Sequence, residues 1–165
     1  MDEQFTLFWD GSLSQWHDAW FEIDGVEYCC AEQYMMAMKA LTFGDHDTHR
    51  MIMETESPRQ QKALGRVVDD FDEDIWQAEE DNGMPYCWNV VYRGNLAKFT
   101  QNPDLAEELL ATAGTTIVEA SPEDCLWGIG RGVDDPLARE RAAWRGENWL
   151  GEVLMAVRDA LMVRG

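Results

Sequence analysis

The sequence predicts a mainly α-helical fold, an orthogonal packing of helices with a small N-terminal β-hairpin and short β segments. Three observations predict it. Cys30 to Ala40 holds no Pro or Gly and is rich in strong helix formers. Helix-start signatures recur at Ser57-Pro58, Asn102-Pro103 and Asn148. Extended patterns, by contrast, are short and few. With no repeat, linker or low-complexity block, residues 1–165 read as a single domain of five to seven helices with one or two β elements.

In chain order, Phe5, Leu7 and Trp9 alternate as a short strand would before Gly11 and Ser12 break the pattern. Phe21, Ile23, Val26 and Tyr28 then flank Asp24-Gly25, the strongest short hairpin signal. This β element leads into a helix starting near Cys30. After a turn over Thr42 to Asp47, Ser57 at N-cap, Pro58 at N1 and Gln60 at N3 form a capping-box start for a helix running towards Gly65-Arg66. The acids of Asp69 to Asp74 suit the start of the next helix, where the dipole favours negative charge. Asp81-Asn82-Gly83 is a turn. Tyr86 to Thr100 reads helical, with Trp88, Val91, Tyr92 and Phe99 as apolar anchors and Lys98 near the end. Asn102-Pro103 opens a helix that stops at Gly114, and Thr115 to Val118 is a short β segment delivering Glu119. Ser121 to Gly132 is a loop rich in glycine, and Asn148 caps a final helix whose Leu150, Val153, Leu154, Val157 and Leu161 form one apolar stripe.

Bulk numbers narrow the function classes. At 165 residues with 45% apolar side chains the chain can bury a core without staples. It shows neither an apolar run of about 18 residues nor a secretory leader, so the expectation is a cytoplasmic protein with no membrane partner. Four cysteines at 29, 30, 87 and 125 lack metal or disulfide spacing and are expected to be reduced and largely buried. A formal net charge of −19 repels a phosphate backbone, which argues against a broad nucleic-acid surface.

No metal or cofactor is expected. His46 and His49 lie three apart but lack further ligands at a defined spacing, and the Asp69 to Asp81 run has Ile75 where a calcium loop needs Gly. The loop Trp127-Gly128-Ile129-Gly130-Arg131-Gly132 can expose N–H groups to phosphate, yet it matches neither common phosphate-binding signature. The most suggestive pair is Glu32 and Lys39. On a helix they fall at i and i+7 with Met35 and Met36 between, so an acid and an amine share one face across an apolar step, either solvated or turned into a cleft.

Several segments together resemble the NADAR family, whose bacterial members include N-glycosidases acting on early riboflavin-pathway intermediates. The matching pieces are Leu13-Ser14-Gln15-Trp16, Phe21 through Asp24-Gly25 to Tyr28, Glu32-Gln33-Tyr34 with Lys39-Ala40, Leu64-Gly65-Arg66 and Lys98-Phe99. Further on come Leu109-Leu110 with Thr112, Val118-Glu119, Asp124 with Trp127 to Gly130, and Gly146 to Gly151 through Leu154-Met155 to Arg158. Their order and spacing extend over most of the chain. Gln15 stands where the family usually has Asn, and Trp88-Asn89 where many members carry a basic residue.

The resemblance implies cleavage of an N-glycosidic bond on a phosphorylated ribose. The substrate is a small molecule or an ADP-ribosylated nucleotide: either an ADP-ribosyl adduct such as ADP-ribosylated guanine, or a riboflavin precursor. It further implies that Lys39 forms a Schiff base with C1 of the opened sugar. The residue chemistry agrees, since breaking the C–N bond builds positive charge at the ribose carbon, which a carboxylate should face. Glu32 and Glu119 are the candidate stabilisers or proton shuttles, with Asp124 as partner. Lys39 is either the nucleophile, which needs burial to lower its pKa, or a cation holding phosphate. Trp127, with Trp9 or Trp16, would stack the base, Arg66 and Arg131 would bind phosphate, and Ser14, Gln15, Gly128, Gly130 and Asn148 complete the candidate binding set. The alternative is a non-catalytic ADP-ribose or nucleotide-binding module, which would not need the set Glu32, Lys39 and Glu119.

Overall fold

The computed structural model describes residues 2–165. In chain order the elements are β1 (Phe5–Phe8), β2 (Phe21–Ile23), β3 (Val26–Tyr28), α1 (Ala31–Thr42), α2 (His46–Glu54), α3 (Pro58–Gly65), α4 (Glu73–Trp76), α5 (Tyr86–Gln101), α6 (Pro103–Leu110), β4 (Thr116–Glu119) and α7 (Trp149–Arg164). Two short 3-10 helices, Pro136–Arg139 and Arg141–Ala143, precede α7. The fold is mainly α with small β elements, as the sequence leads one to expect. The chain forms two units, Gln15–Asn102 and the combination of Met1–Ser14 with Pro103–Gly165.

In the unit Gln15–Asn102, α1 is the hub and packs on α2, α3 and α5. The β2–β3 hairpin pairs Phe21 with Tyr28 and Ile23 with Val26. Asp24 and Gly25 both take positive φ, 52° and 82°, as a two-residue turn of the I′ kind requires. Cys30 is extended and gives α1 no side-chain cap. The carbonyl of Gln15 does that work, accepting the N–H of Glu32 at 3.0 Å. Gln15 is in turn fixed by a reciprocal amide pair with the buried Asn95 of α5, at 2.9 and 3.0 Å. Next to Asn95, Gly94 lets α5 approach α1 so closely that a Cβ there would lie 2.7 Å from the buried Tyr34 ring.

Of the remaining helices of this unit, α2, α3 and α4 start on a polar side chain, whereas α5 starts at Pro85 without one. Asp45 caps α2 by accepting the N–H of Thr48 at 3.0 Å, and its second oxygen accepts the N–H of Asp69 at 2.9 Å. Ser57 caps α3 by accepting from Gln60 at 3.3 Å. The expected reciprocal half of the box is absent, because the Ser57 N–H goes to the Thr55 hydroxyl, which itself donates to the Gln60 side chain. Asp72 caps the single turn of α4.

In the other unit, β1 and β4 pair in parallel with Phe5 opposite Thr116 and Phe8 opposite Glu119. Val118, Ile129 and Ala138 form a buried cluster against which Phe5, Leu7 and Trp144 pack. Leu150, Val153, Leu154 and Val157 of the expected α7 stripe are buried. The start of α7 departs from expectation. Asn148 sits at N-cap but in the left-handed region and makes no cap bond. Its carboxamide instead donates to the carbonyl of Ile117 at 2.9 Å and accepts the N–H of Glu119 at 3.0 Å, so it fastens β4 rather than capping the helix.

Candidate active site

Glu32 lies in the first turn of α1 and is buried, on the helix end whose dipole favours a carboxylate. Lys39, two turns on, is half-buried and its ammonium lies 4.2 Å from the centre of the Phe71 ring. Burial holds the Lys39 amine below the ordinary lysine value, against the opposing pull of Glu73 and Glu32, and Arg66 adds to the lowering. The exposed Arg66 closes α3. Within one unit, then, Lys39 has an aromatic ring in contact and feels the charges of two carboxylates and an arginine.

The sequence reading missed two of these groups. Glu73 belongs to the acidic run expected to start the next helix, and Phe71 is the apolar residue within that run. Phe71 is indeed 39% exposed, but its ring meets Phe43 edge-on at 5.2 Å and 74° while lying against Lys39. Lys98, expected only near the end of α5 and as part of a matching family segment, is fully buried, and burial pushes its amine down to about 7. The available signal was its spacing from Val91 and Asn95, which puts it on the buried face of α5.

Gln15 is engaged through its whole side chain with Asn95, as described above, and Trp16, 40% exposed, has the Lys62 ammonium 5.9 Å from its ring centre. His46 and His49 belong to the start and middle of α2, and among the described residues no three His, Cys, Asp or Glu side chains are placed to hold a metal ion. Cys29, Cys30 and Cys87 are buried free thiols, whereas Cys125 is exposed.

In the unit built from Met1–Ser14 and Pro103–Gly165, Glu119 ends β4 and is set by the Asn148 clamp on its N–H. Asp124 organises the following loop, one carboxylate oxygen accepting from Leu126 at 2.9 Å and Trp127 at 2.8 Å. The Trp127 ring meets Trp149 edge-on at 5.6 Å. Gly128 is packed where a Cβ would lie 3.0 Å from the carbonyls of Asp124 and Glu119. The N–H of Gly130 goes to the Asp124 carbonyl, and its φ of 70° suits glycine. Arg131 is engaged internally, with Asp135 at 3.0 Å and the Ala143 carbonyl at 2.6 Å. Trp9 is 54% exposed, and Ser14 donates its N–H to Gly11 at 3.0 Å.

The model of the NADAR domain matches residues 7–162. The chain belongs to the NADAR family. Within it, the N-glycosidase R617 of Acanthamoeba polyphaga mimivirus is 43% identical over 152 residues, covering 89% of this chain and 85% of that protein. The N-glycosidase YbiA of Escherichia coli is 28% identical over 146 residues, covering 88% of this chain and 78% of YbiA. The NMR structure of YbiA matches with a TM-score of 0.77 at 25% identity, over 99% of this chain and 88% of that one. The chloroplastic riboflavin biosynthesis protein PYRR of Zea mays is 28% identical over 134 residues, which take in 79% of this NADAR chain and 19% of PYRR.

Proposed function

We propose that this NADAR chain hydrolyses the C–N glycosidic bond of a phosphorylated ribose, with an ADP-ribosyl adduct such as ADP-ribosylated guanine as substrate and Lys39 as nucleophile. The chain is a hydrolase acting on N-glycosyl bonds, as its kinship with N-glycosidases over most of its length supports. The observation that carries the mechanism is the Lys39 amine, half-buried, held at an aromatic face and lowered in pKa. A lysine meant only to hold phosphate would gain nothing from that lowering, since it would carry less charge.

In the proposed reaction, neutral Lys39 attacks C1′ of the ribose and the electron pair of the C1′–N bond passes to the departing base, which takes up a proton. Glu32, buried at the head of the same helix, is the proposed proton shuttle or stabiliser of charge at C1′. The lysine-bound sugar then opens, its ring oxygen gaining a proton as C1′ and Nζ form an iminium. Water adds at C1′ and the C1′–Nζ bond breaks, returning the amine. One water is consumed, and free base and sugar phosphate are released. Glu119 is proposed as a second carboxylate on the strength of the family resemblance alone.

An early riboflavin-pathway intermediate is the second substrate reading, favoured by the kinship with a riboflavin biosynthesis protein. The purified protein is offered a guanosine-linked ADP-ribose and a pyrimidine riboflavin intermediate, and products are read by mass spectrometry. Free ADP-ribose from the first supports the ADP-ribosyl reading, and free base from the second alone supports the riboflavin one. If both substrates bind and neither is cleaved, the non-catalytic module takes the place of the enzyme.

A further inference from the structure

Phe71 has no role in the chemistry above, yet its ring is the apolar group in contact with the proposed nucleophile. Its placement is fixed from three directions. Phe43, at the end of α1, braces the ring edge-on at 5.2 Å. Upstream, the segment is tied down where the Asp45 carboxylate accepts the N–H of Asp69, and Asp70 then turns the chain with a φ of 58°. Downstream, Asp72 is committed to capping α4 through the N–H groups of Asp74 and Ile75. A left-handed non-glycine residue flanked by two anchored aspartates is a conformation held by its surroundings. Its outcome is one ring laid against one amine.

We propose that Phe71 is the positioning residue of the nucleophile: braced by Phe43, its ring walls the Lys39 amine off from water and fixes the direction in which it attacks. This rests on the reading of Lys39 as the nucleophile. The charged groups that act on that amine are Glu73 from α4, Glu32 from α1 itself and Arg66 from the end of α3. The ring exerts two opposed effects. Its face attracts the ammonium, whereas the water it excludes is lost mainly to the charged form. Burial is the largest influence on Lys39 and, with Arg66, outweighs the two carboxylates, so removing the wall should raise the pKa of the amine.

The test is competitive acetylation of the full chain across pH, read by mass spectrometry at Lys39 for wild type, Phe71→Ala and Phe71→Trp. The exposed Lys62 in the same sample is the internal reference. The expected result is a Lys39 midpoint about one pH unit higher in Phe71→Ala, hence a roughly tenfold smaller neutral fraction at a pH below it, with the wild-type midpoint restored in Phe71→Trp. Turnover at neutral pH should fall by about the same factor in Phe71→Ala while KM stays near its wild-type value. A Lys39 midpoint unmoved or lowered in Phe71→Ala overturns the inference. Failure of the underlying reading is seen separately, as full activity in Lys39→Ala.

Discussion

Lys39 and Lys98 are both lysines with lowered pKa values, but only Lys39 is within reach of a solvent-borne substrate. Activity should therefore rise with pH as Lys39 loses its proton, and Glu32→Gln should lower kcat by about a hundredfold if the carboxylate shuttles a proton. A kcat–pH series on the two proteins checks both. Lys98 leaves its mark on stability. Its amine titrates at about 7 in the fold and near the usual lysine value when unfolded, so between those limits the unfolded chain holds the extra proton and stability rises with pH. Cys30 and Cys87, pushed up to about 12 and about 11 by burial, act in the opposite sense. The unfolded thiols lose their protons first, so stability falls above about pH 9. Chemical denaturation should show stability rising from pH 7 to about 9, and Lys98→Met should remove most of that rise, the lowered Lys39 supplying the remainder, whatever it does to the midpoint at neutral pH.

At the scale of elements, close approach and side-chain clamps decide what a substitution does. Gly94→Ala ought to gain helix propensity, but its methyl would meet the Tyr34 ring, so a net loss of about 1–3 kcal/mol is expected in urea unfolding. Asn148→Ala should lose about 1–3 kcal/mol by leaving the Ile117 carbonyl and the Glu119 N–H without their partner. Asn148 also marks the limit of what the sequence revealed. Its type and position say helix cap, and only the tertiary neighbourhood of β4 shows that the side chain is used elsewhere. The hairpin at Asp24-Gly25, the helix starts at Ser57 and Pro103 and the α7 stripe were legible because their signals are local. The parallel pairing of β1 with β4 was not, since its partners come from distant parts of the chain and parallel strands carry no turn signature. Phe71 was illegible for a similar reason: an acidic run hid an aromatic residue in the segment before α4 whose partner, Lys39, lies on the distant α1.

For the molecule as a whole, the net charge of −19 is a standing self-repulsion. Added monovalent salt screens it, so Tm should rise between about 0.05 and 1 M NaCl, where the Debye length shrinks to about 3 Å. A flat or falling Tm would mean that salt-sensitive attractions within the fold outweigh the repulsion. The family was readable in advance from motif order and the fold class from composition and helix-start signals, whereas helical spacing put Glu32 and Lys39 on one face of a helix without deciding whether that face is solvated or turned into a cleft. Whether Lys39 is the nucleophile is read most directly by reduction with borohydride during turnover, followed by peptide mass spectrometry. An iminium at Lys39 would be locked as a secondary amine, and the account predicts one ribose-derived adduct on the peptide carrying Lys39. Turnover of substrate with no adduct, or an adduct on Lys62 or Lys98 instead, would contradict it.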